Sequence, residues 1–153
     1  MSRLSNLDRL LWELVELPSI NPSLTCDDEG LTGEERIASY LEGQAKASGI
    51  ESKRMKVLPG RQNLILRLKP SGKIKSRIML TPHMDVVPAE PDAFNPKIKN
   101  GCLFGRGACD TKGSIASFFH AFLRLAKESA KPRKPEIIFV GVSAEDYGQA
   151  GPR

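Results

Sequence analysis

Residues 136–146 are Glu136-Ile137-Ile138-Phe139-Val140-Gly141-Val142-Ser143-Ala144-Glu145-Asp146, and this run predicts the central strand of the fold. Its apolar part is nearly continuous, which is typical of a central strand buried on both faces. Two acids, Glu145 and Asp146, follow the apolar part almost at once. The run therefore predicts a buried strand that ends in a pair of carboxylates.

Helical patterns occur at three places before this strand. Apolar residues recur at helical spacing from Leu4 to Leu17. The segment Thr32-Gly33-Glu34-Glu35 has the spacing of a capping box and predicts a second helix that runs to about Gly49. Thr111 is expected to cap a third helix, whose apolar stripe extends from Ile115 to Ala126.

Strand patterns alternate with these helices along the chain. Strands are predicted at three places, which are Glu51–Leu58, Asn63–Leu68 and Arg77–Leu80. Asn100-Gly101 is a hairpin signal between 96–99 and 102–104. Because helices and strands alternate, the sequence predicts an α/β layered domain with a mixed, largely parallel central sheet flanked by helices.

Length and composition predict one soluble globular domain in a reducing compartment. The 153 residues are 40% hydrophobic and 27% charged, and no apolar stretch approaches the roughly 20 residues of a membrane span. The segment Met1–Asp8 has no apolar signal core. The three cysteines, Cys26, Cys102 and Cys109, form no CxxC motif and leave an odd thiol under any pairing. We therefore expect a cytoplasmic protein without a membrane partner.

The net charge of +5 is concentrated between Lys46 and Arg77, where ten basic residues accompany a single acid, Glu51. Such a stretch leaves open a basic nucleic-acid-binding domain, for which steep salt-dependent affinity would be the test. However, the stretch contains no Phe, Tyr or Trp on which bases could stack. A solvated strand edge, or a surface that meets acidic chain, is the favoured interpretation, and we expect no nucleic-acid partner.

His83 and Asp85 stand two positions apart in Pro82-His83-Met84-Asp85-Val86-Val87-Pro88, at the end of a predicted strand. Side chains at i and i+2 of a strand share a face, so Asp85 can reach one ring nitrogen of His83 while the other nitrogen binds a metal. A hydrogen-bonded pair without any metal fits the same spacing. This motif alone leaves both interpretations open.

Asp110 lies in the glycine-rich run Gly105-Arg106-Gly107-Ala108-Cys109-Asp110-Thr111-Lys112-Gly113. Its glycines permit a tight backbone that projects the carboxylate inward, where one carboxylate can bridge two divalent ions. Alternatively, Asp110 faces the dipole at the start of the third helix. Glu145 and Asp146 offer a division of labour, in which one takes a proton from water and the other binds metal. By themselves they also fit an acidic turn.

Taken together, the three motifs resemble one family, the cocatalytic-zinc aminoacylases and exopeptidases that include acetylornithine deacetylase, succinyl-diaminopimelate desuccinylase and carboxypeptidase G. Residues 82–88 are similar to its HxDVVP-type motif, residues 100–113 to its GRGxxDxKG motif, and residues 143–148 to its DEExG motif. The resemblance runs from the first helix to the C-terminus, and the second motif is long enough to be specific by itself. It implies a zinc-exopeptidase-like fold.

The resemblance also implies a role for each candidate residue. His83 would bind one metal ion, Asp110 would bridge two, and Asp146 would bind the second. Glu145 would be the general base, and Asp85 would orient His83. The implied cofactors are two divalent metal ions, zinc first, with cobalt or manganese as alternatives.

Two departures from the family pattern and one backbone feature concern these motifs. Ala144 stands where the first acid of the third motif is usual, and Asp146 replaces the more common glutamate. Neither departure removes a required functional group. The resemblance further implies a cis peptide bond between Asp110 and Thr111.

Members of this family are more than twice as long as this chain. The resemblance therefore implies that residues 1–153 are the N-terminal part of the catalytic domain, without the C-terminal part and the lid used in dimerisation. His120, the only other histidine, is expected to pack on helix 112–127 rather than bind metal. We expect incomplete metal occupancy in this chain and a homodimer for the full-length form.

The function implied by the resemblance is a metal-dependent hydrolase. It would cleave an amide bond of a small N-acylated amino acid or a peptide, through a metal-activated water with Glu145 as the general base. The alternative is a truncated, inactive relative that serves at most as a weak metal-binding or interaction module. The nucleic-acid-binding domain remains the third hypothesis.

Overall fold

The computed structural model describes residues 4–25, 30–128 and 135–152. Three helices lie in this part of the chain: α1 (Asn6–Glu16), α2 (Glu35–Ala47) and α3 (Lys112–Lys127). The strands are β1 (Glu51–Leu58), β2 (Arg61–Leu68), β3 (Ser76–Leu80), β4 (Lys97–Lys99), β5 (Cys102–Phe104) and β6 (Pro135–Gly141). Two short 3-10 helices span Pro22–Leu24 and Pro91–Phe94.

Four strands form the central sheet in the order β1–β2–β6–β3. β1 pairs antiparallel with β2, β2 pairs antiparallel with β6, and β3 pairs parallel with β6. The α/β class, the mixed sheet and the central position of β6 are therefore confirmed. The expectation of a largely parallel sheet is wrong for these strands, because β1 and β2 form a hairpin that runs β2 against β6.

The main core lies between one face of this sheet and the three helices. Phe139 of β6 is at the centre of this core. Its ring centroid is 5.7 Å from that of Phe119 and 6.3 Å from that of Phe122. Leu64 and Leu66 of β2 are fully buried in the same cluster. This packing fixes the position of β6, and β6 leads directly into the acidic loop.

The starts of α2 and α3 differ from the sequence-based expectation. Glu34 and Thr111 occupy the N-cap positions, but neither side chain makes a capping hydrogen bond. The Glu34 carboxylate binds Arg61, and the Thr111 hydroxyl donates to the carbonyl of His83 at 2.8 Å. The N-cap of α2 is thus two residues later than the capping-box spacing of Thr32 to Glu35 predicts, and a distant carbonyl replaces the capping contact expected of Thr111.

The predicted hairpin is present as β4 and β5. Asn100 and Gly101 have φ values of 52° and 76°, the left-handed conformation that a two-residue type I′ turn requires. Cys102 and Cys109 are free and exposed, and Cys26 lies outside the described residues. None of the described helices has the length and apolarity needed to cross a membrane.

The basic stretch between Lys46 and Arg77 is largely neutralised within the molecule. Six of the ten basic residues form ion pairs with acids of the α2 region or of β6, or with Glu51. These six are Lys46, Arg54, Arg61, Arg67, Lys69 and Arg77. The folded chain therefore does not present these ten charges as one uniform basic surface.

Candidate metal centre

The candidate site lies where β3 and β6 end side by side at one edge of the sheet. Their parallel pairing continues past both strands, because an isolated bridge joins His83 to Val142. The Met84 amide donates to the Val142 carbonyl at 2.7 Å, and the Val142 amide donates to the Pro82 carbonyl at 2.9 Å. This backbone contact places His83 beside the loop that carries Glu145 and Asp146.

Three carboxylates converge on the His83 imidazole. Ligand atoms of His83, Glu145 and Asp146 all lie within 4.8 Å of one another. Asp110 Oδ1 is 3.2 Å from His83 Nε2, and Glu145 Oε2 is 4.0 Å from the same nitrogen. The structure therefore brings together His83 and the three acids, from two strand ends and the glycine-rich turn.

The glycine-rich turn carries Asp110 into this cluster. The Asp110–Thr111 peptide bond is cis, as the resemblance implies. Gly107 has a φ of 81°, and a Cβ there would lie 2.9 Å from the Val86 side chain and 3.0 Å from that of Lys112. Only glycine fits this close approach, in agreement with the tight turn expected from the sequence.

Asp85 contacts the His83 ring with its backbone rather than with its carboxylate. His83 Nδ1 is 3.0 Å from the Asp85 carbonyl oxygen, whereas the Asp85 Oδ1 atom is 3.7 Å away. A carbonyl only accepts, so Nδ1 carries the hydrogen and Nε2 of the neutral ring keeps its lone pair for a metal. The hydrogen bond that the sequence predicted for the Asp85 carboxylate is thus made by the Asp85 carbonyl.

The Asp85 carboxylate instead holds the acidic loop. It is fully buried and accepts from Asn21 Nδ2 at 2.7 Å, from the Asp146 amide at 3.0 Å and from the Glu145 amide at 3.2 Å. Burial by itself would raise the pKa of Asp85, but these hydrogen bonds and the nearby His83 outweigh it and keep the pKa below its usual value.

The electrostatics of the site favour a cation. Burial acts to lower the pKa of His83, but Asp85, Asp146 and Asp110 outweigh it and raise the pKa to about 9. The pKa of Asp146 is also raised, by its burial and by the neighbouring carboxylates, although His83 opposes the shift. In the metal-free chain a proton on His83 therefore offsets part of the negative charge.

A divalent metal ion fits this set of donors. Imidazole nitrogen and carboxylate oxygen bind zinc at about 2.0–2.2 Å, which places the ligand atoms of one tetrahedral ion roughly 3.4 Å apart. Atoms already within 4.8 Å of one another would need to move by only about an ångström. The described residues contain one such group, His83 with Glu145 and Asp146, and Asp110 adjoins it.

Residues 79–153 match the model of peptidase family M20/M25/M40. This segment contains all five residues to which the sequence analysis gives a role. This half of the chain therefore carries the sequence pattern of that family.

The matched relatives are much longer than this chain. It is 31% identical over 146 residues to acetylornithine deacetylase of Myxococcus xanthus, an alignment that covers 88% of this chain and 37% of that protein. It is 34% identical over 136 residues to succinyl-diaminopimelate desuccinylase of Xylella fastidiosa (strain M23), with 84% and 33% covered. The chain thus spans about a third of the length of these curated relatives.

Solved structures show the same fold. The crystal structure of an M20 family metallo-carboxypeptidase from Sulfolobus solfataricus matches with a TM-score of 0.71 at 20% sequence identity. The match covers 90% of this chain and 30% of that one. The α/β architecture predicted from the sequence is therefore confirmed.

Several residues around the site were not connected with it by the sequence analysis. Asn21, Glu34 and Asn63 hydrogen-bond to Asp85 or to the acidic loop, and they belong to no local motif with these groups. His120 lies away from the site, in a groove lined by residues of α1, α2 and α3. Its predicted packing on the third helix agrees with this position.

Proposed function

We propose that this chain forms the N-terminal part of the catalytic domain of a metal-dependent amide hydrolase. The observation that carries the proposal is the convergence of His83, Glu145 and Asp146, with Asp110 in contact with His83. The order and spacing of these residues also follow the family motifs. The inactive-relative hypothesis is less favoured, because the four side chains to which the motifs give a metal-binding or catalytic role lie together.

His83, Asp110 and Asp146 are the proposed metal-holding residues. Bound zinc would lower the pKa of a water molecule and polarise the scissile carbonyl. The Asp110 side chain is 80% exposed and touches His83 through one oxygen, so its other oxygen is open to a second ion. Each ion would then have about two protein ligands among these residues, and we propose that full occupancy requires further ligands.

Glu145 is the proposed general base. Its side chain is 38% exposed, so water and substrate can reach it, while its backbone is tied to Asp85. Its carboxylate lies 4.0 Å from His83 Nε2, within reach of a water on an ion that this nitrogen would hold. Asp85 keeps the backbone of this residue in place and fixes the His83 ring through its carbonyl.

The proposed substrate is a small N-acylated amino acid or a peptide. Two relatives are named for the removal of acetyl and succinyl groups, and the structural match is named as a carboxypeptidase. All three names describe hydrolysis of an amide bond. We further propose a cytoplasmic protein that is a homodimer in its full-length form, without nucleic-acid or membrane partners.

A zinc titration of two matched histidine variants tests the metal site. His83→Ala should lose most of the zinc affinity measured by calorimetry, because the only nitrogen donor of the cluster is removed. His120→Ala should bind like the wild type, because His120 lies on α3 outside the cluster. Equal losses in the two variants, or no loss in His83→Ala, would contradict the assignment.

Hydrolysis tests the role of Glu145. Residues 1–153 alone should bind zinc weakly and show negligible deacylation of N-acetyl amino acids, because the ligand set is incomplete.

A chimera in which these residues replace the matching part of the Myxococcus xanthus relative should be active. Glu145→Gln in this chimera should abolish turnover and keep zinc bound, and full activity of that variant would overturn the assignment.

A further inference from the structure

The loop from Ser143 to Asp146 is held by buried side chains at every backbone amide. The four amides each donate to a side-chain oxygen: Ser143 to Asn63 at 2.8 Å, Ala144 to Glu34 at 3.1 Å, Glu145 to Asp85 at 3.2 Å and Asp146 to the same Asp85 at 3.0 Å. None of these bonds is local in sequence. The conformation of the loop that carries the proposed base and metal ligand is thus fixed by side chains from distant parts of the chain.

The backbone conformation of the loop requires such support. Ala144 is fully buried and has a φ of 57°, a left-handed conformation that costs a non-glycine residue about 1–2 kcal/mol. The Glu34 carboxylate accepts the amide hydrogen of this same residue. It therefore stabilises the one position where the chain would otherwise relax.

Glu34 in turn is bound to Arg61 in a nearly completely buried ion pair. The two side chains are 3% and 7% exposed, and Arg61 Nε is 3.1 Å from both Glu34 oxygens, with a further short contact from Nη2. Arg61 Nη1 also donates to Asn21 Oδ1 at 2.9 Å. Its Nη2 is 3.9 Å from Asp85 Oδ2, so Arg61 lies between the two carboxylates that hold the loop.

We infer that Glu34 and Arg61 are positioning residues, which set the place of Glu145 and Asp146 through Ala144 and Asp85. Glu34 binds the guanidinium through both Nε and Nη2 and keeps Nη2 beyond hydrogen-bonding distance of Asp85. Without the negative charge on Glu34, Arg61 would turn to Asp85 and compete with the two loop amides for its oxygens. The loop would then shift, and with it the proposed metal ligand.

The test compares Glu34→Gln with Glu136→Gln. Glu136 is also fully buried and paired with arginines, Arg67 and Arg77, but it lies at the other end of β6 from the loop. Both variants replace a buried paired carboxylate by an amide, so they should lose comparable stability in urea unfolding. Only Glu34→Gln should disturb the loop.

Two measurements separate the variants. In the metal-free protein, hydrogen exchange of the amides of residues 144–146 should accelerate at least tenfold more in Glu34→Gln than in Glu136→Gln. The zinc dissociation constant, measured with the metal alone, should rise about 10- to 100-fold in Glu34→Gln and stay unchanged in Glu136→Gln. If Glu34→Gln does not fold, Arg61→Lys tests the other partner of the pair, because it keeps the charge and loses the bidentate contact, and the same changes in loop exchange and zinc affinity are expected.

The outcomes distinguish this inference from the proposed function. Only the zinc measurement rests on the proposed function, whereas the loop-exchange measurement does not depend on it. Equal loop exchange in the two variants would overturn the inference, and so would equal loss of zinc affinity. If wild type binds no zinc but loop exchange still differs between the variants, the proposed function fails and the positioning role stands.

Discussion

Zinc binding should weaken steeply as the pH falls from 9 to 7. In the metal-free chain, the carboxylates of Asp85, Asp110 and Asp146 raise the pKa of His83 to about 9, against the effect of its burial. A metal ion requires the neutral imidazole, so it must displace the proton. The pH dependence of zinc binding therefore reports directly on whether His83 is a ligand.

The magnitude follows from the fraction of neutral imidazole. With a pKa of about 9, roughly half of the His83 side chains are neutral at pH 9 and roughly 1% at pH 7. The apparent zinc dissociation constant should therefore be about fiftyfold higher at pH 7 than at pH 9, which corresponds to about 2.3 kcal/mol. A histidine with the ordinary pKa of about 6.5 would give a change of less than twofold.

Competition against a chromophoric chelator, corrected for its own protonation, measures this dependence. Calorimetry in buffers of different ionisation enthalpy should show release of nearly one proton per bound ion at pH 7 and about half a proton at pH 9. His120→Ala serves as the control and should show the same profile. A dissociation constant that is flat between pH 7 and 9, with no proton release, would refute the assignment of His83 as a ligand protonated in the metal-free state.

Three further predictions concern stability, each measured by urea unfolding of the metal-free protein. Ala144→Gly should stabilise the fold by about 0.5 kcal/mol, because relief of the left-handed backbone at φ 57° exceeds the entropy gained by the unfolded chain; clear destabilisation would contradict this. Phe139→Ala should cost about 3–5 kcal/mol and Met79→Ala less than about 1, since the first is fully buried and the second is 60% exposed; similar costs would show that the core is assigned wrongly. In the wild type, the raised pKa of His83 makes stability fall as the pH rises from about 6.5 to 9. Lys112 has the opposite effect: burial lowers its pKa to about 7, so it makes stability rise from pH 7 to 10. His83→Gln removes the effect of His83, so the free energy of unfolding of this variant should increase by about 2 kcal/mol as the pH rises from 7 to 9. A free energy of unfolding that does not change over this range would count against the buried Lys112.

The acidic loop shows which features of the site could be predicted from the sequence. Glu145 and Asp146 follow a buried strand, and the contiguous motif around Asp110 is enough to carry the resemblance to the family and to imply the cis bond that the structure contains. The strand and helix patterns also gave most element positions within a few residues, since hydrophobic periodicity is a local property. The metal-binding and catalytic roles of these residues remain predictions.

The arrangement of the sheet could not be obtained in the same way. Alternating helices and strands favour parallel pairing, but β1 and β2 pair as a hairpin, and β6 inserts between β2 and β3. A strand pattern gives the faces of one strand and not its neighbours. Pairing depends on which apolar surfaces are buried together, and this is decided by the whole core.

The sequence by itself determined the resemblance to the family, the strand that leads into the acidic loop, and which residues are the candidate metal ligands, because each depends on periodicity or on a contiguous motif. Only the tertiary structure decided the partners of the buried polar groups. Glu34 lies between Thr32 and Glu35 of the predicted capping box, a pattern that gives it no partner, yet its carboxylate binds Arg61, 27 residues away, and Ala144, 110 residues away. A buried carboxylate must find hydrogen-bond donors wherever the fold brings them, and no local pattern records which donors those are.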